Sequence, residues 1–188
     1  MRSHSVLASS GHVRHDAVMF GRRQSKQHQS NDESPDAYHG LRSMALDAVA
    51  RGLVATSPEH ADVAGIIVDI PAKGGFVTIV GLADGTASMY TSVGGGMLGA
   101  GAHATVMAAV EQALAEAQRN IGLFESPDDH GLPPAGSVRF HVLTSPEGRC
   151  ADVPADAFWG REAHRLMPVI TTVQHLITAL SAVSPPNA

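Results

Sequence analysis

The residues best suited to chemistry lie in one dense run, Val93-Gly94-Gly95-Gly96-Met97-Leu98-Gly99-Ala100-Gly101-Ala102-His103. Gly94-x-Gly96-x-x-Gly99 has the spacing of a dinucleotide-binding turn, in which backbone N–H groups at a helix N-terminus receive a pyrophosphate. The spacing therefore nominates Gly94, Gly95, Gly96, Gly99 and Gly101 as a small-molecule or phosphate loop, with His103 at the start of the helix that follows. The flanking sequence argues the other way. No acidic residue ends a second parallel strand about 20 positions on, and no Gly-Lys-Ser/Thr follows as a phosphate loop requires. The favoured alternative is structural: the glycines supply positive φ, a bulge or close backbone approach. A cationic His103 would also sit against the helix dipole.

A second set lies on strand-like sequence. Arg139 and His141 alternate with Val138, Phe140 and Val142, so they share one face. With Ser88, Tyr90 and Ser92 they could form a polar sheet face that reads a ligand, or, as the favoured reading, an ordinary solvated face. Asp69 belongs either to such a face or to the surface near Pro71. A third set is Phe158-Trp159-Gly160-Arg161, where the single tryptophan falls in an irregular connection. There Trp159 and Arg161 could anchor a partner, or the ring could plug the edge of the core. Asp128-Asp129-His130 mimics a carboxylate–histidine constellation, but it lies in a proline-rich loop with no second histidine at metal-ligand spacing. Cys150 has no evident base and reads as structural. The chain contains no Gly-x-Ser-x-Gly, His-Glu-x-x-His or Cys-x-x-Cys, so neither a catalytic residue nor a cofactor or metal is assigned.

The elements that must position these residues follow from periodicity. Ser34-Pro35-Asp36 starts a helix with Tyr38, Leu41, Ala45, Val49 and Leu53 on one stripe, expected to run to about Leu53. Ala64 to Ile70, Phe76 to Leu82 and Thr86 to Val93 read as three strands, the last two joined at Asp84-Gly85. Ala102 to Leu123 is an amphipathic helix carrying Val106, Val110, Ala113, Leu114, Ala117 and Ile121. Ser137 to Thr144 and Arg149 to Val153 pair about a Ser145-Pro146 turn. A last helix from about Met167 to Val183 has the clearest apolar stripe, ended by Pro185 and Pro186. The order α-β-β-β-α-β-β-α predicts an α+β two-layer sandwich, with a five-stranded, mainly antiparallel sheet and three helices. That element order resembles the small secretion chaperones of the type III class and, more loosely, the profilin-like modules. The likeness lies in the order of elements and in no residue motif.

Composition bounds the function. At 188 residues the chain can bury one substantial core, and 44% apolar with 16% charged residues is a globular composition. Residues 1–33 are polar and without period, and read as a disordered tail, with a targeting segment or a misassigned start as alternatives. Residues 34–188 then form a single domain with eight basic against fifteen acidic side chains, which disfavours nucleic acid. No apolar run is long enough to span a membrane, and a single cysteine makes the cytoplasm the default compartment. The excess of arginine over lysine points to a GC-rich bacterial genome. The expectation is a non-catalytic, homodimeric protein-interaction module, chaperone-like or regulatory. The alternatives are a small-molecule or phosphate sensor using the Gly94–Gly101 loop, and an enzyme with its site on the polar sheet face.

Overall fold

The first helix, α1 (Pro35–Leu46), carries Asp36 in its first turn, where a carboxylate favours the positive end of the dipole. It ends earlier than the apolar spacing predicts. Turns take over through residues 47–52, and Gly52 adopts a left-handed φ of 66°. A computed structural model describes residues 35–127 and 129–184; the expected tail (1–33) and Asp128 fall outside the described residues.

The strands are β1 (Gly65–Ala72), β2 (Gly75–Leu82), β3 (Ala87–Thr91), β4 (Gly96–Met97), β5 (Ser126–Pro127), β6 (Ser137–Leu143) and β7 (Arg149–Pro154). They form one sheet in the order β4-β3-β2-β1-β6-β7-β5, with every pair antiparallel. The remaining helices are α2 (Ala104–Arg119), α3 (Ala155–Phe158) and α4 (Met167–Val183). The α+β class with an antiparallel sheet stands, while the expected five strands and three helices become seven and four among the described residues. The additions β4, β5 and α3 are of two, two and four residues, too short to leave a periodic signal.

The layering also differs from the expectation. Ile66, Val68 and Ile70 of β1 join Val106, Val110, Leu114 of α2 and Ile170, Val173, Leu176, Leu180 of α4 in one core. Each such Leu or Ile contributes about 1.5–3 kcal/mol on full burial. Ile67 points the other way, into a second cluster with Val80, Leu82, Tyr90 and Leu143, which is covered by Tyr38 and Leu46 of α1. Helices thus lie on both faces of the sheet, and the two-layer expectation is corrected. The reason is legible in β1, where Ile66 to Ile70 are buried at odd and even positions alike.

Candidate functional site

Antiparallel register sets residues side by side, and one cross-strand row is polar along its whole length. It runs Tyr90 of β3, Thr78 of β2, Asp69 of β1, Arg139 of β6 and Asp152 of β7. His141 lies two residues along β6 from Arg139 and shares its face. The polar sheet face expected from alternation therefore exists, but its central part is not solvated. Asp69, Thr78 and His141 are fully buried, because α1 lies over them.

The helix contributes the missing charge. Arg42 follows Tyr38 by four residues, which places both on the sheet-facing side. Its Nε and Nη2 donate to Asp69 Oδ2 at 2.9 and 2.6 Å. Nη1 donates to the His130 carbonyl at 2.7 Å and Nη2 to the Gly131 carbonyl at 2.9 Å. Thr78 Oγ1 donates to Asp69 Oδ1 at 2.6 Å, so the Tyr38 hydroxyl, 2.9 Å from Thr78 Oγ1, is the donor of that pair. His141 Nε2 lies 3.0 Å from Asp69 Oδ2 and 3.2 Å from Arg42 Nη2. With its proton, Nε2 donates to the carboxylate; without it, Nε2 accepts from the guanidinium. Burial alone would raise the Asp69 carboxyl. Hydrogen bonds from His141 and Arg42, the Arg42 charge and the Thr78 hydroxyl outweigh it and hold the group below its ordinary 3.8.

This network is closed. With α1 in place Asp69 and His141 have no exposed surface, and the carboxylate is held by Arg42, Thr78 and His141, so the arrangement ties α1 to the sheet. Arg139 is committed as well. Its Nε and Nη2 fork onto Asp152 at 2.8 Å each, and Nη1 reaches Asp129 at 2.8 Å. The hydrogen bonds to Asp152 push its pKa further up and keep it charged. Arg139 and His141 therefore share a face without sharing a site.

The glycine run has structural work at each of its conspicuous positions. Gly94 and Gly95 turn β3 into β4 with φ of 96° and 81°. Gly96 has φ 147° and lies against Tyr90, where an added Cβ would come within 2.5 Å of Tyr90 Cα. Gly99 is left-handed before a 3-10 turn at Ala100–Ala102, and Gly101 rests on the Gly85 carbonyl, where a Cβ would overlap the oxygen. The run folds the chain over the β2–β3 turn and delivers it to α2. His103 precedes α2, exposed, with no side-chain cap. Trp159 is 52% exposed, edge-on to the buried Phe158 with ring centroids 4.8 Å apart. Arg161 pairs with Asp156 at 2.8 Å, both side chains exposed. Cys150 is buried on β7. Among the described residues no group of three or more His, Cys, Asp or Glu could hold a metal ion, and no helix is long and apolar enough to cross a membrane.

The feature that sequence reasoning missed lies beside the anchored helix. A cleft of about 320 Å³ opens between α1 and the β3–β4 end of the sheet. Leu41 and Ala45 of α1, Leu53 after it, Val80 and Leu82 of β2, and Leu98 form its apolar walls. Ser88 and Tyr90, alternate residues of β3, are at its polar side. Tyr90 is 5% exposed, and its hydroxyl, buried beneath α1, has no hydrogen-bond partner among the described residues. Burial, followed by the neighbouring Asp69 charge, raises its pKa, so the phenol keeps its proton. The sequence signal was the apolar stripe of α1 facing a strand with hydroxyls at every second position. No known family model, curated protein or solved structure matches the chain.

Proposed function

We propose that the chain is a non-catalytic binding module whose ligand seat is the cleft between α1 and the β3–β4 end of the sheet. The observation that carries this reading is a ligand-sized hollow whose walls are almost wholly apolar, from Leu41, Ala45, Leu53, Val80, Leu82 and Leu98. Its volume of about 320 Å³ lies at the lower end of small-molecule pockets, which are mostly apolar with a few convergent polar groups. The closed Arg42–Asp69 network supports a role in holding one wall in place.

The test is titration of the full chain with Nile red, a neutral dye whose fluorescence rises in apolar surroundings. Saturable one-to-one uptake is expected, weakened at least tenfold in Leu53→Lys/Leu98→Lys. Both positions are 58% exposed, so the pair can change without disturbing the core. Absence of saturable uptake, or equal uptake by the double variant, removes the reading.

A second reading is a homodimer or protein partner seated on the same surface. Met44, Leu53 and Leu98 line the cleft and are at least half exposed, giving the cleft an apolar rim of the kind that marks interfaces. Light scattering separates the two: a dimeric mass that falls to monomer in the same double variant favours a second copy.

A further inference from the structure

We propose that a second hollow, between the segment preceding β1, the β2–β3 turn and α2, binds a primary alkylammonium ion through carboxylates at its rim and the imidazole of His60. Its volume is about 600 Å³, within the range of small-molecule sites. It shares Leu82 and Asp84 with the cleft beside α1, and binding in one does not require binding in the other.

The sign of the charge comes from three elements. Glu59 precedes β1, Asp84 lies in the β2–β3 turn and Glu111 is on α2, and no Lys or Arg is among the lining residues. The Glu59 carboxylate accepts from its own backbone N–H and from the Ser57 hydroxyl, which holds its pKa below the ordinary 4.5 and keeps it charged. Asp84 accepts from the Thr86 N–H at 2.8 Å, which fixes a second carboxylate. Like charges around one opening repel, and a cation among them relieves that cost. Among the described residues no three His, Cys, Asp or Glu are grouped so as to hold a metal ion, so the spread of charge suits an organic cation.

An independent observation comes from His60, which lines the hollow and is only 9% exposed. Its backbone N–H is taken up by Ser57. The ring nitrogens have no hydrogen-bond partner among the described residues, and they are not sealed from solvent as the unpartnered Tyr90 hydroxyl is. A side chain nine-tenths buried therefore keeps its polar atoms open to the space it lines. In its neutral form an imidazole has one acceptor nitrogen, and an ammonium N–H is the donor that a carboxylate-rimmed site would bring to it. Val110 and Leu114 of α2, both buried, line the same hollow and provide an apolar floor for an alkyl chain. An entering anion would lose its water and meet only like charge.

The experiment is calorimetric titration of the full chain at pH 8 and low ionic strength with octylammonium, octanoate and octyltrimethylammonium. Saturable one-to-one uptake of octylammonium is expected, about tenfold or more tighter than octanoate. Glu59→Gln/Glu111→Gln changes two exposed side chains without touching the core, and is expected to weaken octylammonium about three- to tenfold. His60→Ala is expected to weaken it about fivefold or more, the range of one hydrogen bond to a charged donor. Octyltrimethylammonium has the same charge and no N–H, so it is expected to bind more weakly than octylammonium and to be indifferent to His60→Ala. No saturable uptake of octylammonium, octanoate binding equally well, or full affinity in the Glu59→Gln/Glu111→Gln variant overturns the proposal. So does a His60→Ala variant that binds octylammonium as the wild type does.

Discussion

Replacing Arg42 by Met tests whether the buried network anchors α1. Methionine keeps an apolar stem of similar length, so the loss is confined to the guanidinium and its hydrogen bonds. Those bonds are two to Asp69 Oδ2, at 2.9 and 2.6 Å, and one to each of the carbonyls of His130 and Gly131. Asp69, fully buried, then keeps Thr78 and His141 but no fixed cation. Breaking a buried pair from one side typically costs about 3–5 kcal/mol, which for a domain of this size lowers Tm by roughly 6–20 °C. The diagnostic comparison is Asp69→Asn in both backgrounds. In the wild type it leaves Arg42 without its counter-ion and destabilises. In Arg42→Met it removes an uncompensated charge and is expected to recover about 1–2 kcal/mol. A change of sign between backgrounds is a coupling that only a direct charge pair produces. Urea unfolding followed by circular dichroism measures all four species. The anchor argument fails if Arg42→Met costs under about 1 kcal/mol, or if Asp69→Asn has the same effect in both backgrounds.

Acidity gives the same argument a second handle. In the wild type the Asp69 pKa is depressed, so its stabilisation is full above the ordinary value of 3.8 and is lost as pH falls through the lower folded value. Without Arg42, burial dominates and raises the folded pKa, so protonation favours the native state and the variant gains stability as pH falls toward it. The difference between wild type and Arg42→Met is therefore expected to narrow from about pH 7 to about pH 4.5, as read from urea midpoints. A difference that widens over this interval contradicts the assignment.

The glycine run offers a contrast between close approach and conformational strain. Gly101→Ala would force a methyl into the Gly85 carbonyl and is expected to cost about 2–3 kcal/mol. Gly85→Ala has open space and only its φ of 87° to pay for, and is expected to cost about 1 kcal/mol; thermal unfolding ranks the two. Tyr90→Phe removes a hydroxyl that has no partner, and is expected to leave the free chain unchanged or up to about 1 kcal/mol more stable. A loss above 1 kcal/mol in urea unfolding would show that the hydroxyl is satisfied after all.

Most of the sheet and its apolar face were legible because their signals are local. Alternation in Val138, Phe140 and Val142, and the helical stripe from Ile170 to Leu180, each identify a face without knowledge of the partner element. The polar face was legible only in part. Arg139, His141, Ser88 and Tyr90 were grouped correctly by alternation, but their being solvated or covered depends on where α1 docks. That is a long-range fact, joining Arg42 to Asp69 across 27 residues and to His141 across 99. Two local clues pointed to it. One is an arginine inside the apolar stripe of a helix, between Leu41 and Ala45. The other is an aspartate inside a strand apolar at odd and even positions, Ile66 to Ile70. A charge buried in either element alone is unfavourable, and the two become tolerable only together.

The same reasoning applies to the glycine run. Its spacing meets the needs of a phosphate turn because both uses require backbone without Cβ, and sequence spacing alone cannot separate them. Geometry separates them at two positions: Gly96 and Gly101 have their missing Cβ positions filled by Tyr90 and by the Gly85 carbonyl, whereas Gly95 and Gly99 border open space. In the proposed ligand seat the run takes part through its position. By folding tightly over the β2–β3 turn it brings Leu98 and Gly99 to the cleft, where the Gly99 N–H meets Ser88 and Leu98 faces α1 across the opening. The nominated loop thereby lines the cleft proposed as the ligand seat. Its glycines act through the position of that wall, which makes Gly96→Ala a variant expected to weaken dye uptake without touching the dye.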